Sequence, residues 1–168
     1  MKEWTLDLKN YAPDSKEVHR TAARGIICQN NKFLIIHSKY GDYKFPGGGK
    51  KNDESIEENL IREVKEETGF NVIKSSIKPF GHVLETRKKD DKKKWVMDSY
   101  YFFCEIDNKQ GNKNLDEYEN EYEYKSDWLN LEDIIKKNED VDVKNFDYVP
   151  WVEREKFVMK ELLKELKK

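Results

Sequence analysis

Three glutamates, Glu63, Glu66 and Glu67, lie close together in a strongly charged segment of the chain. If this segment is helical, each residue advances the side chain by about 100°, so the three carboxylates share one face. Their mutual repulsion destabilises a helix, and the C-terminal end of a helix favours cations rather than carboxylates. Such a conflict is expected where function overrides stability. A solvated acidic face, offset by Arg62 and Lys65, is the alternative interpretation.

Three consecutive glycines after Pro46 add a second chemical feature. Because glycine has no Cβ, the backbone can turn tightly there and bring its carbonyl oxygens close to the carboxylates. Carboxylate and carbonyl oxygens are the ligands that Mg²⁺ prefers in proteins. An ordinary turn would explain the glycines alone, but the glycines and the glutamates together predict a magnesium site.

The spacing of these residues resembles the Nudix box. Gly48 is followed after five residues by Glu54, and after seven more by Arg62-Glu63-Val64-x-Glu66-Glu67-x-Gly69-Phe70. A predicted strand pair and Phe45-Pro46-Gly47 precede this segment, and an acidic loop and a tryptophan-containing strand follow it. The similarity extends over roughly residues 20 to 135. On this resemblance the chain is identified as a member of the Nudix hydrolase superfamily, in its MutT-like group.

The resemblance implies a role for each position of the box. The catalytic and metal-binding groups would be the following: the carbonyl of Gly47, the carboxylates of Glu63, Glu66 and Glu67, and the guanidinium of Arg62, which would brace those carboxylates. Gly48, Glu54 and Gly69 would be structural positions, with Glu54 holding the loop against the helix. The cofactor implied is Mg²⁺, with Mn²⁺ as an alternative.

A further metal-binding glutamate is often supplied in this family by the loop ahead of the tryptophan strand. Glu121 and Glu123 are the candidates, and the sequence does not choose between them. The general base is equally open between Glu63 and one of these loop glutamates.

The activity implied is magnesium-dependent hydrolysis of a diphosphate linkage, in a nucleoside diphosphate derivative or a nucleoside triphosphate, by a metal-activated water. The alternative is a catalytically silent Nudix-like module that binds a nucleotide or a protein partner. An isoprenoid diphosphate isomerase is disfavoured because the box is complete. The proline typical of ADP-ribose hydrolases is absent, since Glu85 and Thr86 occupy that region. Candidate substrate-binding residues are Arg24, for phosphate, and three aromatic residues, Tyr43, Phe45 and Trp95.

The elements that must position these residues follow from local patterns. Residues 55 to 68 are predicted to form a helix, because Ser55 and Glu58 make a capping box and Gly69 suits the C-terminal cap. Its apolar stripe would be Ile56, Leu60, Ile61 and Val64.

Strands are predicted over residues 21–28, 32–38, 81–87 and 95–106, with a charged hairpin tip at 87–94. A loop is predicted over 115–124 and a short strand at 128–129. Asn130 would cap a helix reaching Lys137, and a last helix starting near Pro150 would bury four residues: Val158, Leu162, Leu163 and Leu166. This order predicts an α/β fold with a mixed sheet between helices. It predicts one domain over 1–168, with an N-terminal arm or extra strand at 1–18 and a C-terminal helix at 148–168.

The composition narrows the classes of partner. The chain has 32 basic and 34 acidic residues and a formal charge of −2, so strong nucleic-acid binding is not expected. Cys28 and Cys104 lie in apolar segments and are predicted to be reduced and buried. No apolar signal core or membrane-length segment occurs, so we expect a cytoplasmic protein with no membrane contact. A homodimer is conceivable from the family resemblance.

Overall fold

The structure, a computed structural model, describes all 168 residues. Nine strands form two sheets. In chain order the strands are β1 (Lys2–Asp7), β2 (Lys16–Ile26), β3 (Cys28–Gln29), β4 (Lys32–His37), β5 (Tyr43–Lys44), β6 (Gly47–Gly49), β7 (Lys78–Lys88), β8 (Lys93–Phe103) and β9 (Lys125–Leu129). The larger sheet has the order β1-β7-β8-β2-β6, and the smaller sheet joins β3, β4, β5 and β9.

The larger sheet is mixed. β7 and β8 form an antiparallel hairpin, whereas β2 runs parallel to β8 and β1 runs parallel to β7. The glycine strand β6 closes one edge by pairing antiparallel with β2, so that Gly47 lies opposite Arg24. Residues 1–18 therefore contribute β1 at the other edge and the start of β2.

Four α-helices and two short 3-10 turns complete the chain. The helices are α1 (Ile56–Thr68), α2 (Glu117–Glu121), α3 (Leu131–Glu139) and α4 (Val152–Leu166), and the turns are Lys74–Ser76 and Val143–Asn145. None of the helices combines the length and the apolar character needed to cross a bilayer.

The larger sheet lies between α1 and α4. Neighbouring residues on a strand point to opposite faces, and here Tyr101 packs in one core cluster with Val158 and Leu162 of α4. Phe102, the next residue, packs in another cluster with Leu60 of α1. The prediction of a mixed sheet between helices is thus confirmed.

Several local predictions were wrong. The three glycines form a strand and not a tight turn, and Cys28 is exposed, although Cys104 is buried and both thiols are free. Leu166 is exposed, since it belongs to the last turn of α4, beyond the core. The acidic loop contains α2. The first predicted strand pair divides between the two sheets, because β2 ends at Ile26 and the hairpin is made by β3 and β4.

Candidate functional site

Helix α1 is capped as the sequence predicts. The Ser55 side chain accepts a hydrogen bond from the Glu58 backbone N–H, and the Glu58 carboxylate accepts one from the Ser55 N–H, both at 3.1 Å. Gly69, with φ of 80°, closes the C-terminus by donating its N–H to the Lys65 carbonyl. Because both ends of α1 are fixed in this way, the caps also fix where the box glutamates Glu63, Glu66 and Glu67 lie along the sheet.

Arg62 ties the loop before α1 to the acidic face of the helix. Its guanidinium donates to both oxygens of the Glu54 carboxylate and, at 3.0 Å, to the carbonyl of Gly49. The same side chain donates to Glu63 at 2.9 Å and to Glu66 at 3.0 Å. The hydrogen bonds from Arg62 lower the pKa of Glu54 to about 2. Arg62 thus offsets the repulsion between carboxylates that the sequence pattern creates.

Glycine is required at positions 48 and 49 because neighbouring side chains approach the backbone closely, and not because the chain turns there. A Cβ on Gly48 would lie 2.7 Å from the carboxyl carbon of Glu63, and one on Gly49 would lie 2.5 Å from the guanidinium of Arg20. Both distances are shorter than a nonbonded contact permits. The bare backbone of β6 therefore lets the Glu63 carboxylate rest directly against the strand.

Glu67 is buried and already holds two partners. Its carboxylate accepts the Gly47 N–H at 2.6 Å and the Lys44 ammonium at 2.9 Å. The Lys44 ammonium also donates to the Gly47 carbonyl at 3.3 Å. Two of the oxygen groups predicted to bind a metal, Glu67 and the Gly47 carbonyl, thus converge on one positive charge supplied by the chain itself.

The donor set fits a divalent cation in chemistry. A carboxylate oxygen of Glu67 and the carbonyl oxygen of Gly47 contact the Lys44 ammonium, and such hard oxygens suit Mg²⁺. The side chains are not gathered as in a metal complex, since no three His, Cys, Asp or Glu side chains form a metal-binding group. Glu63 and Glu66 are held by Arg62, and Glu67 is held by Lys44.

The loop ahead of β9 brings a different glutamate toward the box. Glu119, on α2, is buried, whereas the predicted candidates Glu121 and Glu123 are exposed. Burial and the nearby charge of Glu67 raise the pKa of Glu119 to about 8. The same two causes, in the same order, raise the pKa of Glu63. The sequence signal that would have found Glu119 is its capping box with Asp116, where each residue accepts the other's backbone N–H.

A cavity of about 300 Å³ opens beside the glycine strand. Its wall includes the backbone of Gly47 and Gly48 and five basic side chains: Arg20, Arg24, Lys44, Arg87 and Arg154. The aromatic part of the wall comes from Trp95, Trp151 and four tyrosines: Tyr118, Tyr122, Tyr124 and Tyr148. The exposed Asp147 is the single acidic residue in this wall. A concave basic surface with aromatic rings suits phosphate and a planar base.

The four predicted substrate-binding residues divide into two pairs. Arg24 and Trp95 line this cavity. Phe45 does not, because its ring is fully buried in the core against Tyr101. Tyr43 lies outside the cavity and stacks on His37, with ring centroids 5.1 Å apart. The fully buried Phe45 therefore offers no side-chain surface to a substrate, whereas the role of Tyr43 stays a prediction.

A buried ionic network beneath the cavity was missed by the sequence reasoning. The Arg154 guanidinium donates to Glu85 at 2.8 Å, to Glu155 at 3.2 Å and to the Tyr101 hydroxyl at 3.0 Å. Arg24 lies 3.5 Å from Glu155. The available signal was that Arg154 and Glu155 occupy positions of α4 that continue its apolar stripe, four residues before Val158 and Met159.

Two curated proteins resemble parts of this chain. An ADP-ribose pyrophosphatase from Methanocaldococcus jannaschii is 44% identical over 53 residues, covering 29% of this chain and 31% of that protein. An 8-oxo-dGTP diphosphatase from Proteus vulgaris is 36% identical over 70 residues, covering 38% of this chain and 61% of that protein. The matched regions therefore span less than two thirds of either relative.

A solved structure shares the fold. The MutT NUDIX hydrolase from Burkholderia pseudomallei superposes with a TM-score of 0.52 at 17% identity, covering 68% of this chain and 85% of that one. The model of the NUDIX domain family matches residues 18–152, which includes most of β2, the glycine strand, α1 and the start of α4. This match covers most of the chain, and the chain therefore belongs to the NUDIX domain family.

Proposed function

We propose that this protein hydrolyses a phosphoanhydride linkage in a nucleotide-type substrate. The observation that carries the proposal is the position of Gly47, which contacts the box carboxylate of Glu67 and also lines the basic cavity. Phosphate bound by the cavity would thus lie next to the carboxylates. The names of the two curated relatives, which act on ADP-ribose and on 8-oxo-dGTP, support a nucleotide substrate.

The residues that would hold Mg²⁺ or Mn²⁺ are those that the box implies: Gly47 through its carbonyl, and Glu63, Glu66 and Glu67 through their carboxylates. A divalent cation bound there supplies neutralisation of the diphosphate charge and a lowered pKa for an attacking water. Arg62 would keep Glu63 and Glu66 oriented, because it already bonds both. Lys44 would leave Glu67 and offer its ammonium to substrate phosphate.

The proton of the attacking water needs a carboxylate acceptor. Glu63, which is half-buried, and Glu119, which is buried, are the two candidates, because the charge of Glu67 acts on both and both have a raised pKa. A base with a raised pKa accepts a proton more readily near neutral pH. Glu119 takes the place of Glu121 and Glu123 as the loop candidate.

The cavity would bind and orient the rest of the substrate. Arg20 and Arg24 lie beside the glycine strand and can pair with phosphate oxygens, while Trp95 offers a ring for a planar base. Attack at one phosphorus would release a nucleoside monophosphate and a phosphorylated leaving group.

The test is a substrate panel in ¹⁸O-labelled water with Mg²⁺ or Mn²⁺, with products identified by mass spectrometry. The panel contains nucleoside triphosphates, ADP-ribose and 8-oxo-dGTP. We expect cleavage of at least one member, with one ¹⁸O atom in one product. Glu67→Gln should lower kcat by about 10³-fold, the scale of losing several kcal/mol of charge stabilisation. Glu57→Gln, an exposed position in the first turn of the same helix, should leave kcat unchanged.

Because Glu67 is buried, Glu66→Gln provides a second variant at a partly exposed position. Thermal unfolding of each variant separates loss of activity from loss of fold. Full activity of both folded variants, or no metal-dependent cleavage of any nucleotide, would contradict the proposal.

A second candidate function is nucleotide binding without catalysis. The ion pair between Lys44 and Glu67 favours it, since the chain's own ammonium holds a carboxylate that catalysis would assign to a metal. This alternative predicts that nucleotides bind equally well with and without Mg²⁺ and that none is cleaved. Calorimetric titration of the nucleotides in both conditions separates the two functions.

A further inference from the structure

Arg87, on β7, is a buried guanidinium with few partners. The residue is 6% exposed, and the single hydrogen bond of its side chain runs to the thioether sulfur of Met97 at 3.4 Å. Its Nε atom is buried without any hydrogen-bond partner and lies 3.5 Å from the carboxylate of Glu85. That carboxylate is already bonded by Arg154 through its other oxygen, at 2.8 Å.

This arrangement is costly for folding. A guanidinium has five N–H donors, and burying it without acceptors forfeits its hydration. Burial lowers the pKa of Arg87 to about 10, against the opposing effect of Glu85. In the folded protein Arg87 gains only one weak hydrogen bond to sulfur and a carboxylate that it shares with Arg154. Buried polar groups that lack partners call for a specific explanation, and a functional site is where such conflicts are expected.

Arg87 lies where two cavities meet. The first is the basic cavity beside the glycine strand, and the second, of about 500 Å³, lies beyond it toward Asn10 and Lys89. Both cavities share Arg87, Trp95 and Pro150, together with the exposed Asp147. The donors of Arg87 are thus reachable from the same space that holds the phosphate-binding wall.

The strand register sets the distance from the box. Gly47 is opposite Arg24, which is opposite Tyr101, while Arg87 is opposite Trp95. Tyr101 and Trp95 are six residues apart on β8, which is about 20 Å of strand at 3.3 Å per residue. Even after allowing for the length of the arginine side chain, a diphosphate group that contacts Gly47 does not also reach Arg87.

The local charge indicates what Arg87 would bind. The buried side chains around the cavity carry four positive charges, on Lys44, Arg24, Arg87 and Arg154. Their carboxylate partners are three: Glu67, Glu85 and Glu155. The excess of one buried positive charge (four minus three), with the exposed Arg20 beside it, favours an anion on the side of the first cavity. The wall of the second cavity is less favourable to an anion, because it carries four acidic side chains: Asp90, Asp91, Asp147 and Glu153. The planar fork of a guanidinium matches the oxygens of a phosphate.

We propose that Arg87 binds a second phosphate group of the ligand, separated from the diphosphate at the glycine strand. The ligand class is then a nucleotide-type molecule whose anionic groups are in two places, rather than one contiguous polyphosphate chain. Calling this ligand a substrate rests on the proposed function. The phosphate site at Arg87 does not depend on that function.

The experiment measures binding with the full-length protein in EDTA, so that no hydrolysis occurs. Two matched ligand pairs differ by a single phosphate: NADP⁺ and NAD⁺, and coenzyme A and 3′-dephospho-coenzyme A. We expect the phosphorylated member of at least one pair to bind wild-type protein at least about tenfold more tightly, the scale of one charge-assisted contact. Arg87→Met should reduce that preference to less than about twofold.

Lys89→Met is the matched control, because Lys89 lines the second cavity and its ammonium lies 4.9 Å from the centre of the Trp95 ring. It should keep the preference, since it represents general basic charge near the site. Arg87→Met should also unfold at an equal or higher temperature, whereas a purely structural Arg87 would lower it.

The proposal is overturned if wild-type protein prefers neither phosphorylated ligand, or if Arg87→Met retains the preference. A folded protein that binds with this preference but cleaves nothing would contradict the proposed function alone. A protein that cleaves nucleotides without the preference would contradict the Arg87 site alone.

Discussion

The protein carries two charged clusters on opposite faces of its larger sheet, and they are built in opposite ways. The acidic cluster comes from one helix and the loop before it and spans residues 54 to 67. It is partly exposed except at Glu67, with 20% of the Arg62 side chain accessible. The basic cluster is assembled from β2, β5, β7 and α4 and is almost fully buried, with Arg154 at 1% exposure. The clusters meet at Gly47.

The difference shows how each kind of cluster affects stability. Ion pairs that keep contact with water contribute little to the folding free energy, because solvent screens them. Buried charges depend on complete pairing, because removing one partner leaves another charge without hydration. The acidic side, apart from the buried Glu67, should therefore tolerate substitution in stability while losing activity, and the well-paired residues of the basic side should lose stability first.

The sharpest test of this contrast is Arg154→Met. It removes the hydrogen bonds to Glu85, Glu155 and the Tyr101 hydroxyl, so two buried carboxylates lose their main partner. The free energy of unfolding should fall by about 3–5 kcal/mol. Lys160→Met on the same helix removes an exposed pair with Glu139 and should cost less than about 1 kcal/mol. Urea unfolding measures both losses of stability, and equal losses would contradict the difference between buried and exposed ion pairs.

Gly47→Ala tests the junction between the clusters. The added Cβ would lie 2.1 Å from the Ala23 carbonyl oxygen, and φ of 152° is unfavourable for alanine. Strain and overpacking together should lower the unfolding free energy by roughly 2–4 kcal/mol. Gly41→Ala is the control, because Gly41 has φ of 84° but open space around it, and it should cost only about 1 kcal/mol. Similar losses would mean that backbone strain dominates and close approach does not matter.

Ser55→Ala tests how much the N-terminal cap of α1, on the acidic side, contributes to the free energy of unfolding. The substitution leaves the Glu58 N–H without its side-chain acceptor at the start of α1. The loss should be about 1 kcal/mol, typical of a helix N-cap. Chemical unfolding provides the measurement, and Asn130→Ala, at the equivalent cap of α3, should give a loss of similar size. A loss above about 3 kcal/mol would show that the cap supports more than the helix end.

The smallest effect is expected from the pH dependence of the Glu54–Arg62 pair, because solvent screens this partly exposed ion pair. Arg62 lowers the pKa of Glu54 from 4.5 to about 2, so this pair stabilises the fold above pH 4.5. That contribution is lost as the pH falls from 4.5 toward 2. The difference in stability between wild type and Glu54→Gln should accordingly be constant above about pH 5.5 and shrink on acidification. Urea midpoints at pH 6, 4.5 and 3.5 would reveal it, and a difference that grows in acid would reverse the assignment.

The parts of the candidate site that sequence reasoning found share one property. The ends of α1, the carboxylates of Glu63, Glu66 and Glu67, and the brace of Arg62 depend on residues no more than eight positions apart. Helical periodicity and capping operate over that distance, so the pattern of residue types was enough. The assignment of Glu63, Glu66 and Glu67 as metal ligands stays a prediction.

The parts that sequence reasoning missed depend on contacts between distant segments. Glu119 approaches the box because α2 folds the acidic loop back toward Glu67, 52 positions away in the chain (119 minus 67). The glycines become a strand because β2 is available to pair with them. No local pattern contains these partners.

The sequence by itself determined the acidic helix, its caps and the family that these residues identify, because backbone geometry relates neighbouring positions directly. Only the tertiary structure decided which charges are buried together, which glutamate of the acidic loop turns inward, and that Arg87 lies between two cavities with few hydrogen-bond partners. The physical reason is that burial and pairing depend on which distant strand or helix supplies the opposite charge, and strand register sets that partner.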